Sequence, residues 1–568
     1  MTNQTSDLNS HAGAWLNHYP PSVKWDAPIP VAPVYQMLYD TAAHYGSRPA
    51  FDFMDKKWTW SDVARDVDHF AKGLQEQGIG KGSKVGLFLP NCYCYLVSYY
   101  AVLRAGATVV NYNPLYVNKE LQHQIEDSET DYMITLDLKI LFDKAQDMLN
   151  TTRLKNIILF RFTEMLPFPK NMLFKIVKGK ELAEIPNPDE YLWASKIMKN
   201  DGKPAAVTIN PQEDIAVLQY TGGTTGVPKG AMLTHANVTA NTEQAALWLN
   251  SGKYGTEKML GVIPFFHVFA MTAVMNFSVR CAFEIIATPR FDLEMTLKII
   301  NKKRPHYLPA VPAIYNAINN HPKLQNYDLS SLRYCISGGA PLPVEVKKAF
   351  EKNTGCTVVE GYGLTESSPI VCVNPLEGAN KPASIGMPVP GTIVEIINPD
   401  DKVTPVKPGE KGELCVRGPQ VMKGYWKKPK ETQDVLRDGR LYTGDIAMMD
   451  EQGYVFIVDR IKDMIITNGY NVYPRNVEEA IYLYDGVEEC IVAGVLDDAR
   501  GEIVKAWVKP KAGYTIKPEE LKLFLKDQLS PMELPRQIEI RDKPLPKTMI
   551  GKLSRKDMIA EDKANKAA

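Results

Sequence analysis

The stretch Tyr220-Thr221-Gly222-Gly223-Thr224-Thr225-Gly226-Val227-Pro228-Lys229-Gly230 limits the fold more than any other part of the chain. An apolar run at 215–220 precedes it and reads as a buried strand. Regular structure resumes at 231–235, with a helix start expected further on. Between them stand four glycines, three threonines and one lysine. Glycine lets a backbone turn sharply and bring its N–H groups close to an anion. The hydroxyls and the ammonium add donors for phosphate oxygens. A Gly/Thr-rich surface loop is the alternative. A lysine held inside a glycine frame directly after a buried strand favours phosphate. No Gly-Lys-Ser/Thr ends the loop, so it is not a Walker A loop. That argues for a different way of using ATP.

At 568 residues the chain is too long for one ordinary core, so two or more domains are expected. Its formal net charge of zero leaves no global basic field, and nucleic acid is not an expected partner. Eight cysteines are scattered through apolar runs. Only Cys92 and Cys94 form a close pair, with no second cluster to complete a metal site. Buried free thiols in a reducing cytoplasm are expected. Residues 1–10 are polar and lack the basic and apolar regions of a signal peptide. The uncharged span 259–279 is long enough for a membrane helix. Its Gly261, Pro264, His267, Asn276 and Ser278 make it a buried core segment instead.

Along the chain, 34–45 reads as a helix closed by Gly46. Ser61-Asp62 looks like the next helix start, with Val63, Val67, Phe70 and Leu74 at helical spacing and Gly78 at the end. A short strand at 85–90, a helix at about 93–104 and a strand at 107–111 imply a parallel sheet covered on both faces. The segment from Phe160 to Lys180 interleaves Phe162, Phe168, Phe174, Ile176 and Val177 with Arg161, Lys170, Lys175 and Lys178. It suits either a bilayer interface or ordinary amphipathic packing. After Ile461 the texture changes to a helix at 474–484, strands at 489–495 and 502–509, and a helix at 517–529. That is a compact α+β unit of ordinary domain size.

Several short motifs follow the opening loop in order. They are Pro264-Phe265-Phe266-His267-Val268, then Ser337-Gly338-Gly339-Ala340-Pro341-Leu342 and Glu360-Gly361-Tyr362-Gly363-Leu364-Thr365-Glu366. Tyr442-Thr443-Gly444-Asp445, Asp459-Arg460-Ile461-Lys462-Asp463, Gly469-Tyr470-Asn471 and Pro544-Leu545-Pro546-Lys547-Thr548-Met549-Ile550-Gly551-Lys552-Leu553-Ser554-Arg555 complete the series. Taken singly, each has a plain reading: a core histidine, a glycine turn, a solvated lysine. Taken in this order, from about Tyr35 to the C-terminus, they resemble the ANL superfamily of adenylate-forming enzymes. The closer resemblance is to the bacterial long-chain fatty acyl-CoA synthetases.

The resemblance implies an α/β fold. A large N-terminal domain of α/β subdomains (1–458) would be followed by a hinge (459–463) and a small mobile α+β C-terminal domain (464–568). It implies ATP, Mg²⁺ and CoA as ligands, and a role for each motif. Residues Thr221, Gly222, Gly223, Thr224, Thr225, Gly226 and Lys229 would bind phosphate. Gly339 and Ala340 would flank adenine, and Tyr362 would stack on it, within a nucleotide-binding turn of Glu360, Gly361 and Gly363. Thr365 would contact the α-phosphate, and Glu366 would help hold Mg²⁺, a hard ion suited to a carboxylate and phosphate oxygens. Asp445 would accept from both ribose hydroxyls, and Arg460 would contact ribose or phosphate. Lys462 matches the hinge position and Gly469 the pantetheine tunnel. His267 would sit beside the carboxylate and the acyl tunnel. Lys552 matches the catalytic lysine.

Phe265, Phe266, Phe269, Met271 and Val274 around His267 suit an alkyl chain, and the 412–426 stretch also resembles the long-chain branch. Met271 stands where some long-chain members carry a gating tryptophan. The expected activity is long-chain fatty acid–CoA ligation. The alternatives are a ligase for shorter, aryl or thioether acids and a non-catalytic lipid-binding relative. A luciferase-type oxygenase shares every motif. The expected setting is the cytoplasm, and peripheral contact at the inner face of the membrane through 160–180 stays open beside ordinary packing of that segment. The sequence leaves homo-oligomerisation open.

Overall fold

The computed structural model describes residues 13–221, 228–249, 252–467, 470–497, 501–548 and 551–567. Two large sheets dominate it. The first has seven strands, in the order Leu192–Trp193, Asn156–Phe160, Tyr132–Leu136, Lys84–Leu87, Thr108–Asn111, Ile215–Tyr220 and Gly230–Thr234. All neighbours are parallel except the last pair, an antiparallel hairpin. The second has nine strands and runs from Met387–Pro388 through Ile370–Val373, Thr357–Gly363, Tyr334–Ser337 and Tyr307–Ala310. It continues through Lys258–Gly261, Glu284–Ala287, Pro49–Phe53 and Lys56–Thr59. Its interior is parallel and its edges are antiparallel. The apolar strand runs and the helices between them dictate this, because a parallel sheet must be covered on both faces.

A five-stranded antiparallel sheet follows, built from Ile393–Ile397, Gly412–Arg417, Arg440–Met449, Leu436–Arg437 and Val455–Arg460. One continuous core extends from Trp15 to Val455. Beyond it, a second five-stranded sheet carries two small cores of its own, between Ile465 and Met558. The mixed α/β architecture is the one expected.

Local expectations hold with three instructive shifts. The helix Trp60–Glu76 starts one residue before Ser61, and its cap is Thr59. Thr59 Oγ1 accepts from Asp62 N at 3.2 Å, and Asp62 Oδ2 accepts from Thr59 N at 3.0 Å, a capping box. Asp62 is therefore the third helical residue and not the start. Gly46 does end Gln36–Tyr45, but with a right-handed backbone. Glycine is needed there because a Cβ would lie 2.4 Å from Ser61 Oγ. The 259–279 span breaks into the strand Lys258–Gly261, the short helix Val268–Ala270, a six-residue π segment Met271–Asn276 and the helix Phe277–Cys281. Among the described residues no helix is long and apolar enough to cross a membrane. All eight cysteines are buried free thiols.

Candidate active site

The opening loop joins two strands of a hairpin. Thr221 N donates to Lys229 O at 3.0 Å and closes its neck. The strand Gly230–Thr234 follows directly, and Thr234 caps the helix His235–Trp248. Gly222, Gly223, Thr224, Thr225 and Gly226 lie outside the described residues, as does Gly469. The hairpin's outer strand is zipped to 423–426. Met232 N donates to Gly424 O (2.8 Å), Lys423 N to Met232 O (3.0 Å) and Trp426 N to Gly230 O (2.8 Å). This brings the Tyr425 ring to 4.5 Å from Lys229 Nζ, a cation–π contact. The Tyr425 hydroxyl donates to Glu366 Oε1 at 2.5 Å. One tyrosine therefore touches both the phosphate-loop lysine and the candidate metal carboxylate. The sequence reading gave Tyr425 no role.

Glu366 stands in a single turn, Thr365–Ser367, just after the strand Thr357–Gly363. That strand carries Glu360, Gly361, Tyr362 and Gly363. Gly363 tolerates no side chain, because a Cβ would sit 2.0 Å from Pro369 O. The buried Glu360 carboxylate accepts from Leu342 N at 3.2 Å and so anchors the Gly339-Ala340 turn. Burial pushes this carboxyl up to about 7, with Arg475 opposing. Glu360 thus holds the turn from beneath while lining the same cleft.

Asp445 lies opposite Arg460 in the antiparallel pair Arg440–Met449 and Val455–Arg460. Its Oδ1 is 3.2 Å from Arg460 Nε. Its Oδ2 accepts the Tyr362 hydroxyl. Burial raises the Asp445 carboxyl, and Arg460 counters this. Each carboxylate oxygen keeps a further lone pair, so the group can still accept from a diol.

Lys552 arrives from the small C-terminal unit. Lys547 and Leu553 form a β-bridge. Thr548 N donates to Lys552 O (2.6 Å), Gly551 N to Thr548 O (2.8 Å) and Lys552 N to Thr548 Oγ1 (3.1 Å). Gly551, at φ +82°, adopts the left-handed conformation this tight turn needs. The turn drives Lys552 into the cleft beside Gly339. Gly339 has φ +83°, and a Cβ on it would lie 3.0 Å from Lys552 Cε. Burial first, then the Arg460 guanidinium, pushes the Lys552 amine down to about 8. His267 is held neutral, its imidazole lowered to about 3 by burial and then by the Lys552 cation. Its Nδ1 accepts from Phe269 N at 3.3 Å, so its proton sits on Nε2.

All these side chains line one cleft of about 1850 Å³, together with Thr221, Ala340, Gly361, Thr365 and Lys462. Lys462 and Arg460 are on its exposed rim. Its apolar lining includes Leu249, Phe266, Phe269, Ala273, Ile336 and Val373. Phe265, Met271 and Val274 do not line it; they are fully buried in the core, which corrects the expectation for them. Two amides that the sequence does not single out also line the cleft. Asn111 Nδ2 donates to Gln219 Oε1 (2.8 Å), and Gln219 Nε2 donates to Phe266 O (2.9 Å). Also missed were two arginines that grip 459–463. Arg475 N donates to Asp459 Oδ2 (2.7 Å), and Arg555 bonds Asp463 (3.3 Å) and Glu478 (2.7 Å). Nothing local in the sequence pairs them.

Among the described residues no group of three His, Cys, Asp or Glu could cage a metal. Glu366 alone would suit a Mg²⁺ that takes most of its oxygens from phosphate and water.

Residues 38–426 match the family model described as AMP-binding enzyme, and residues 476–552 match the AMP-binding enzyme C-terminal domain. The chain is 47% identical over 555 residues to a long-chain-fatty-acid–CoA ligase of Bacillus subtilis, covering 97% of this chain and 98% of that one. It is 37% identical over 560 residues to the protein of the same name from Escherichia coli O157:H7, covering 96% and 98%. Among solved structures, ATP-bound MatB of Rhodopseudomonas palustris superposes with a TM-score of 0.82 at 26% identity, covering 94% and 99%.

Lys552 is expected to titrate near 8 in the ligand-free protein. Reductive ¹³C-methylation of its amine, followed by NMR across pH 6–11, measures this; a midpoint near the ordinary lysine value would contradict the burial described here. As its pKa is depressed, the charge is present below about pH 8 and is lost as pH rises through that value.

The two matches take in most of the large α/β body and the small unit that supplies Lys552, and this chain belongs to the AMP-binding enzyme family of AMP-forming CoA ligases.

Proposed function

We propose that the protein is a long-chain fatty acid–CoA ligase, converting ATP, a fatty acid and CoA into acyl-CoA, AMP and pyrophosphate. The observation that carries this is the meeting of Lys552, Lys229, Glu366 and Asp445 on one cleft whose lining also includes Leu249, Phe266, Phe269 and Ile336. The names of the Bacillus subtilis and Escherichia coli relatives support the substrate class.

In the first half-reaction a carboxylate oxygen attacks the α-phosphorus, an acyl-adenylate forms and pyrophosphate leaves. Two anions must meet, so positioned donors are the appropriate catalysts. Lys229 and Thr221, with Gly222, Gly223, Thr224, Thr225 and Gly226, hold the leaving β- and γ-phosphates. Thr365 and Lys552 face the α-phosphate. Mg²⁺ held by Glu366 would neutralise developing phosphate charge. Tyr362 and the Gly339-Ala340 turn bind adenine, Asp445 the ribose diol, and Arg460 ribose or phosphate. The neutral His267, with its proton on Nε2, orients the acyl carboxylate.

In the second half-reaction the thiol of CoA attacks the acyl carbon and expels AMP. No covalent enzyme intermediate is needed. The domains are proposed as 1–458 and 464–568, turning about 459–463 with Lys462 as the pivot and Gly469 then lining the thiol's path. The present orientation has Lys552 in the cleft and suits the first half-reaction. The proposed setting is the cytoplasm, with peripheral membrane contact through 160–180.

A pyrophosphate-release panel over acids of increasing chain length, with and without CoA, tests the assignment. Long-chain acids should give the highest kcat/KM, with acyl-CoA and AMP in equal amounts. Absence of any response to fatty acids would overturn it, and a preference for aryl acids would move the substrate class. Lys552→Ala should cost roughly 3 kcal/mol in adenylation while sparing thioester formation from preformed acyl-adenylate. An equal loss in both half-reactions would refute that division of labour. Lys462→Pro should permit adenylation and slow thioesterification at least ~10-fold, because proline fixes φ. Normal thioesterification would count against rotation at this residue.

A further inference from the structure

The helix Lys170–Val177 has no buried residue. Its apolar side chains face outward: Ile176 is 78% exposed, Val177 77%, Met172 56% and Leu173 51%, with Phe168 just ahead at 78%. Positions 172, 173, 176 and 177 form one helical stripe of the kind that normally turns toward a core. Here the inner side is tethered by other groups. Phe174 packs on Phe162 with ring centres 4.9 Å apart, and Lys170 Nζ bonds Met54 O at 3.1 Å and pairs with Asp55. The stripe is thus held outward by the fold. Contiguous exposed apolar surface of this sort marks a docking site.

We propose that this face docks on an anionic lipid bilayer, with Phe168, Ile176 and Val177 entering the acyl boundary. It deepens the peripheral contact proposed above and needs no turnover to be tested. Charge selects the occupant. Lys175 and Lys180 are exposed beside the stripe, while Lys170 pairs with Asp55 and Lys178 with Glu181. A second copy meeting this face across a two-fold axis would set lysines against lysines. Anionic headgroups would complement them, each nearby cation adding attraction. The arrangement is that of an interfacial helix: apolar face in the bilayer, cations at headgroup level.

Co-sedimentation with phosphatidylglycerol/phosphatidylcholine vesicles, and with pure phosphatidylcholine vesicles, is the test. Wild type should partition at least ~10-fold better onto the anionic vesicles. Phe168→Ser/Ile176→Ser should lose binding to both. Lys175→Glu/Lys180→Glu should lose only the anionic preference. All three should keep the same melting temperature and the same ATP-dependent pyrophosphate release on acid supplied in micelles. Equal sedimentation of wild type and the serine variant would overturn the proposal. So would light scattering that shows a wild-type dimer dissociated by the serine substitutions. Loss of the ligase reading would appear in pyrophosphate release alone and leave sedimentation untouched.

An independent observation lies in the cleft, and from it we infer that Tyr425 is a positioning residue, resting on the metal role proposed for Glu366. Its hydroxyl fixes Glu366 Oε1 while its ring faces Lys229, so one side chain sets both the carboxylate and the phosphate-loop cation. Its backbone is bridged to Ala231, which ties that geometry to the hairpin. Partners that orient a metal-binding carboxylate are worth about 10- to 100-fold in metal affinity. Calorimetric titration of ATP with and without Mg²⁺ reads this directly. Tyr425→Phe should keep Mg²⁺-free ATP affinity within about twofold and lose ~10-fold of the gain that Mg²⁺ brings. Tyr425→Leu, which also removes the ring, should weaken Mg²⁺-free binding as well. An unchanged Mg²⁺ gain in Tyr425→Phe would refute the inference. A wild type with no Mg²⁺ gain would remove its basis in Glu366.

Discussion

A buried carboxylate must be partnered, and Asp445 is the one on which the cleft depends. It accepts the Tyr362 hydroxyl from the nine-stranded sheet and faces Arg460 on the last strand before the C-terminal unit. Three motifs far apart in the chain are thereby tied at one point. The same pairing sets where the C-terminal unit begins, because Arg460 is followed at once by the 461–463 turn. Arg475 and Arg555 then grip that turn and its neighbours from the other side.

The consequence is a cleft walled by two bodies with separate cores. Lys552 reaches it only because its turn is stiffened by Gly551 and Thr548 and because the small unit is docked. Burial and Arg460 lower its amine to about 8, so its affinity for anions is tied to pH just above neutrality. His267, beside the same cation, stays neutral. A neutral imidazole next to an ammonium can orient a carboxylate without adding a second buried charge. The phosphate hairpin and Glu366 are coupled in a comparable way through Tyr425.

Much of this was legible in the chain. Apolar strand runs separated by helical patterns implied a doubly covered parallel sheet, and the seven- and nine-stranded sheets have that form inside. The candidate site residues among the described positions all line one cleft. The misreadings have local causes. Thr59 was passed over as a cap because Ser61-Asp62 offered the same chemistry two residues later. Phe265, Met271 and Val274 surround His267 in sequence and suit an alkyl chain on that ground alone. All three are fully buried, Met271 and Val274 within the π segment.

The elements and the glycine positions that permit close backbone approach were written in the chain, since they depend on neighbours a few residues apart, and so was the family, since it depends on the order of the motifs along the chain. Only the tertiary structure decided that Lys552 lies against Gly339, that Tyr425 links Lys229 to Glu366, and that the apolar stripe of Lys170–Val177 faces outward. The physical reason is the same in each case. Periodicity states that a face is apolar, and a motif states that a donor exists. Neither states which distant surface the face or donor meets, because that is set by how separately folded sheets pack.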